Sequence, residues 1–291
     1  MRQILLLFVG ISLFQVATLL SGQGGDDGLR ADLERVYSRW RNAMIRKDAQ
    51  AWAASITQYR QVVIRNSVVS ERQSFPDAVF ASEVQPPPLV GLRLLEVEAV
   101  GDTAHLIYFG KVNMGQDKEL IRDNILKLKF YREGGEWKYD SNRVVRLDTA
   151  PEVLKELQEG KRPDFLDSPE YTPPGTMPPT PPLCRVPEFK AGYKLQTFGY
   201  ETTISMNGID YEPVRDALDQ QILIGGLVRG HNEMVLNMKP VPRPEGEKEA
   251  LQIRVYILSN DPDRPGVEVA RWEAPESGAP AKVTLPIEVR Q

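Results

Sequence analysis

One cysteine, two histidines and no excess of charge of one sign set the first limits on this 291-residue chain. Cys184 has no second cysteine to meet, so no disulfide can form within the chain and hydrophobic cores must hold the fold. An intermolecular bridge stays open, but Cys184 sits among prolines and reads as an unpaired thiol in a linker. His105 and His231 fall in different halves of the chain, so neither a histidine-based metal cluster nor serine–histidine catalysis has support. Thirty-six basic residues stand against 40 acidic ones, for a net charge of −4, and no segment is strongly basic. That excludes the electrostatic footprint of a nucleic-acid binder.

Long apolar runs are also scarce, with one exception at the start. Behind Arg2, residues Ile4 to Leu20 are mostly apolar, and Ser21-Gly22 then lead into the polar Gln23-Gly24-Gly25-Asp26-Asp27. That order of charged, apolar and small residues is a secretory signal, with cleavage expected after Gly22. The competing reading is a single-pass anchor, since a stretch of this length is at the lower edge of the roughly 17 to 25 residues a bilayer demands. The chain is therefore expected to be exported to a periplasm, a cell surface or the medium, with no membrane span left after cleavage.

Proline is concentrated: nine of the 23 lie between Pro163 and Pro187. Each removes a backbone donor and fixes φ, so neither helix nor sheet can run through. Residues 151–187 are accordingly read as a short helix, Pro151 to Gly160, followed by a linker that is either a semi-rigid spacer or strapped along a domain surface. The linker divides a domain at 26–150 from one at 188–291.

In the first domain Leu33, Val36, Tyr37, Trp40 and Met44 recur at helical spacing, and Asp48 caps a second helix carrying Trp52 and Ile56. Four strands are expected after an irregular proline-containing region: 92–100, 103–114, 120–132 and 136–147. Turn residues at Gly101-Asp102, Gly115-Gln116-Asp117 and Gly134-Gly135 make them an antiparallel meander. Helices first and a sheet afterwards give an α+β domain. Beyond the linker all is strand and turn, with a strand from Tyr193 to Met206, a hairpin at Asn207-Gly208 and alternating runs at 234–239, 251–257 and 283–289. These predict an all-β sandwich.

The helix pair with Trp40, Asp48, Ala51 and Trp52, followed by Thr103-Ala104-His105-Leu106-Ile107-Tyr108, Leu126-Lys127-Leu128-Lys129-Phe130 and Gly135-Glu136-Trp137-Lys138-Tyr139-Asp140, resembles the nuclear-transport-factor-2-like superfamily over residues 28–148. The resemblance implies a curved sheet wrapped around helices into a cone whose open end can hold a small molecule. Residues Gly226 to Leu236 resemble, over about a dozen positions, the Gly-x-Asn turn and strand of jelly-roll sandwiches related to carbohydrate-binding and galactose-binding-like domains.

Site candidates follow from parity. Leu126, Leu128 and Phe130 mark the inner face of the third strand, which places Arg122 and Asn124 on the same side near the mouth. Tyr108 on the neighbouring strand, Trp52 on the second helix and Tyr37 on the first complete a ligand-binding set: Tyr37, Trp52, Tyr108, Arg122 and Asn124. In isomerases of the superfamily a first-helix tyrosine works with an aspartate base. Tyr37 matches the first role, but Gln58-Tyr59-Arg60-Gln61 offers no carboxylate for the second. Asp123 and Asp140 share parity with lysines and read as solvent-facing, and His105 reads as a structural strand residue. The turn Asn260-Asp261-Pro262-Asp263 reads as turn chemistry in preference to a calcium site. No catalytic group, metal ligand or cofactor is thus assigned.

The second strand is apolar on both faces, so its outer face needs a cover, either a second copy of the domain or the sandwich of the same chain. The functional expectation is an exported, non-enzymatic binding or assembly protein, with a small molecule or glycan as partner. The alternative is an isomerase, dehydratase or hydrolase acting in the cone.

Overall fold

A computed structural model describes residues 21–113, 121–242, 249–259, 261 and 263–290. The signal read at residues 1–22 lies outside it up to residue 20, as do the Gly115-Gln116-Asp117 turn and Asn260 and Pro262 of the acidic turn. The chain is α+β, and among the described residues the strands pair antiparallel. Among the described residues no helix is long and apolar enough to cross a membrane.

Two compact units emerge, and their boundaries differ from the expected ones. The first takes residues up to 42 and 86–177; the second takes 43–85 and 178–291. The supposed linker is therefore divided between them, and the second expected helix belongs with the second unit.

In the first unit, α1 (Ser21–Arg46) presents Leu33, Val36 and Tyr37 as its buried stripe. It lies on a four-stranded sheet of order β1 (Arg93–Val100), β2 (Thr103–Lys111), β3 (Asp123–Glu133) and β4 (Glu136–Arg146), the meander that the turn residues predict. Trp40 and Tyr37 of α1 meet Tyr139 of β4 at ring-centroid separations of 4.0 and 5.5 Å. Gly101, Gly134 and Gly135 adopt the positive φ that the two tight reversals require. A bulge at β4 turns Asp140 inward, and it is buried beside Ser141, whose hydroxyl donates to it at 2.7 Å. Its expected solvent-facing position is corrected by that bulge.

The outer face of the sheet has a cover that neither expectation named. Helix α4 (Pro151–Gln158) brings Leu157, and the chain after it brings Leu166 and Tyr171, onto Ile107, Phe109, Ile125 and Leu147. The strap then closes on the sheet's end: Asp102 N donates to Gly175 O at 2.9 Å, and Gly175 N donates to the Thr103 hydroxyl at 2.9 Å. A Cβ at Gly101 would lie 2.3 Å from Gly175 O, so the approach depends on glycine there.

In the second unit, α2 (Ala49–Ser55) starts at Asp48, whose side chain accepts from Ala51 N at 2.9 Å as the sequence predicts. A further helix, α3 (Gln58–Ser70), fills what the sequence leaves irregular. Thr57 caps it, accepting from Arg60 N at 3.0 Å. Its β-branched residues hide it from propensity. The expected strand from Tyr193 to Met206 is two strands, β5 (Ala191–Phe198) and β6 (Tyr200–Met206), because Gly199 at φ 83° sends the chain from one sheet to another. β5 lies in a sheet with β9 (Leu218–Ile222), β11 (Ala250–Ile257) and β12 (Val267–Glu273). β6 pairs with the short β7 (Ile209–Asp210) and β8 (Val214–Arg215) and continues to β10 (Gly230–Pro240) and β13 (Lys282–Val289). Residues of both sheets share one core, including Tyr193, Leu195, Ile253, Ile204, Leu236 and Ile287.

The proline-rich segment is gripped by α3. Asn66 donates to Pro182 O at 2.9 Å and accepts from Cys184 N at 3.0 Å, while Arg65 donates to Cys184 O at 2.7 Å. Cys184, read from the sequence as an unpaired thiol, is a free cysteine, and it is buried. An extended segment without internal hydrogen bonds needs such partners for its peptide groups, and a single amide side chain supplies both kinds.

Candidate functional site

The five residues singled out from the sequence do not form one site. Tyr37 and Tyr108 belong to the inner core, where both hydroxyls are engaged. Tyr37 donates to Pro87 O at 2.8 Å, and Tyr108 donates to Glu34 at 2.6 Å. Burial holds the proton on each phenol, raising both pKa values; Glu34 adds to the effect at Tyr108. Trp52 is in the second unit, edge-to-face with Phe75 and Phe80. These aromatics fill cores, as large side chains with satisfied polar tips do.

Arg122 and Asn124 do come together. They line a surface cavity of about 850 Å³ where β2 ends and β3 begins. Register explains the gathering, since Asn124 pairs with Gly110 on one side and Arg146 on the other. Three cations (Lys111, Arg122 and Arg146) stand around it with the apolar Ile121, Val144 and Leu154. The acidic residues present are engaged: Asp148 pairs with Arg146, and Asp123 accepts from Gln158 at 3.1 Å. Asn124 is mostly buried and donates to Arg122 O at 3.2 Å.

A second constellation lies on the outer face of the sheet and was missed from the sequence. Glu96 and Glu98 alternate on the edge strand β1, and Glu98 is the direct cross-strand partner of His105 on β2. His105 Nε2 is 2.9 Å from Glu96 Oε1 and 3.9 Å from Glu98 Oε2. Arg162, from the strap, pairs with the other oxygen of Glu96 and with Asp167. Burial is the main cause that lowers the His105 pKa to about 4, against the opposing hydrogen bond that the ring gives to Glu96, so the ring is neutral at physiological pH. Its Nδ1 is buried without a partner, a feature that costs about 1–3 kcal/mol when left so. Burial, reinforced by Glu96, raises the Glu98 pKa.

Beside them Lys127 is buried, although its parity with Lys129 predicts exposure. Its ammonium donates to Glu170 O at 2.8 Å and sits 5.0 Å from the centre of the Tyr171 ring. Burial, with repulsion from Lys129, lowers its pKa to about 8. His105 and Lys127 also border a cavity of about 220 Å³ under the strap. The signal that could have found the trio is the turn itself. A two-residue reversal at Gly101-Asp102 fixes Val100 opposite Thr103, and counting outward puts Glu98 opposite His105.

No protein-family model matches the chain, and neither a curated protein nor a solved structure does.

Proposed function

We propose that this chain is an exported, non-enzymatic binding protein that takes a small anionic molecule in the cleft at the start of β3. The observation that carries the reading is the convergence of Lys111, Arg122 and Arg146 with the Asn124 amide on a cavity of about 850 Å³ with apolar walls. A few polar groups set in a partly apolar concavity of ~300–1,000 Å³ are what small-ligand sites have in common. Export rests on the residue order of the first 22 positions. A helix laid on a four-stranded antiparallel meander supports a cone of the nuclear-transport-factor-2-like kind, and two sheets around one core support a sandwich. The competing enzyme reading needs Tyr37 and Tyr108 at an open cavity; instead their hydroxyls serve Pro87 and Glu34.

The test is calorimetric titration of the full chain with citrate, inorganic phosphate and glucuronic acid. Binding of at least one is expected, and Arg122→Ala should weaken it by about tenfold or more, since a hydrogen bond to a charged group contributes roughly 1.5–3 kcal/mol. Absence of binding by all three, or equal binding by the variant, overturns the reading.

A further inference from the structure

We infer that Glu96, Glu98 and His105 form a binding site for a borderline divalent cation of the zinc class, on the outer face of the β1–β2 hairpin. One oxygen of each carboxylate and one ring nitrogen of His105 all lie within 4.8 Å of one another. Donors placed ~2.0–2.2 Å from a tetrahedral zinc ion are about 3.4 Å apart, and the two His–Glu separations, 2.9 and 3.9 Å, bracket that value. One imidazole and two carboxylates suit such an ion better than calcium or magnesium, which take oxygen ligands alone.

The surroundings point the same way. His105 is almost wholly buried and has one nitrogen turned to the two carboxylates, the other without a protein partner. With the site empty, Nε2–H donates to Glu96 Oε1 at 2.9 Å; a cation taken up there replaces that proton, and the ring then ligates through Nε2. Arg162 holds the second oxygen of Glu96, which fixes that carboxylate for single-oxygen ligation, the task of an outer-sphere partner. The Glu98 side chain is 41% exposed, so an ion has an entry path and an open fourth position toward solvent.

The experiment uses untagged full-length protein stripped with a chelator and titrated with zinc chloride, then with cobalt chloride as a spectroscopic probe. All titrations are done in a His231→Ala background, so that His105 is the one remaining histidine. One equivalent of zinc should bind and raise the melting temperature. Cobalt should give the visible absorption of a low-symmetry site with nitrogen ligation. Glu98→Gln, at a half-exposed position that can be changed without disturbing the fold, should weaken zinc binding by at least about tenfold. His105→Gln should abolish the nitrogen signature, and circular dichroism reports whether that variant is folded. No zinc binding by the stripped protein, or affinity unchanged in Glu98→Gln, overturns the inference.

Discussion

Replacing Leu157 with alanine should loosen the whole first unit, although the residue lies in a short helix that leads into the proline-rich stretch. Leu157 is 1% exposed and packs with Leu166 and Tyr171 over Ile107, Phe109 and Ile125. Truncating a leucine at such a position costs about 2–5 kcal/mol, because the lost transfer energy is joined by the cavity left behind. Two units need not unfold together, so a single melting temperature would blur the effect. Segment-resolved hydrogen exchange avoids this. At 1.36 kcal/mol per decade, the lower figure predicts about 30-fold faster exchange of the β2 and β3 amides that open only with their unit. Amides of β10, in the other unit, should keep their rates. An effect on β2 and β3 below about 0.5 kcal/mol, the ordinary range for surface positions, would refute the placement of α4 as the cover of the sheet.

Asn66→Ala should release the proline-rich segment by leaving Pro182 O and Cys184 N without their amide partner. A cost of roughly 2 kcal/mol is expected, read as faster labelling of Cys184 by a thiol reagent; an unchanged labelling rate would remove Asn66 from that role. For Lys127 the folded pKa of about 8 lies below its ordinary value of 10.5. The folded chain therefore holds fewer protons than the unfolded chain between those limits, and stability rises with pH across that window. Relative to Lys127→Met, the wild-type chain should gain up to about 3 kcal/mol between pH 8 and 10 in denaturant melts of the first unit. Parallel pH profiles for the two would show that Lys127 is not buried.

Local order was legible where a turn residue or an alternation fixed it. Gly101-Asp102 and Gly134-Gly135 set the meander, and Asn207-Gly208, at φ 56° and 74°, set the β6–β7 hairpin. The place of Asn124 followed from the same logic, since the parity of Leu126, Leu128 and Phe130 carries it onto the inner face, whereas Lys111, Arg146 and Leu154 were not read as its neighbours. What failed was any inference needing a partner distant in sequence. Lysine parity marks solvent only when a face is open; Lys127 is buried because Glu170 and Tyr171, more than forty positions later, lie over it. The unit boundary failed likewise, because Asn66 reaches Pro182 and Cys184 across 116 and 118 positions by side-chain hydrogen bonds that leave no periodic trace. Gly199, a lone glycine inside an alternating run, could have been read as a break, and it is one.

The account stands most directly on the cleft between Lys111 and Arg146. Nitrogen-15 correlation spectra of the full chain, recorded while the anion that binds in calorimetry is added, test it residue by residue. The predicted result is that the Asn124 side-chain amide and the backbone amides of Lys111 and Arg146 shift together and saturate at the same concentration, while the Asn66 and Asn232 side-chain amides stay in place. Shifts confined to the second unit around Asn207 and His231, with Asn124 unmoved, would contradict it.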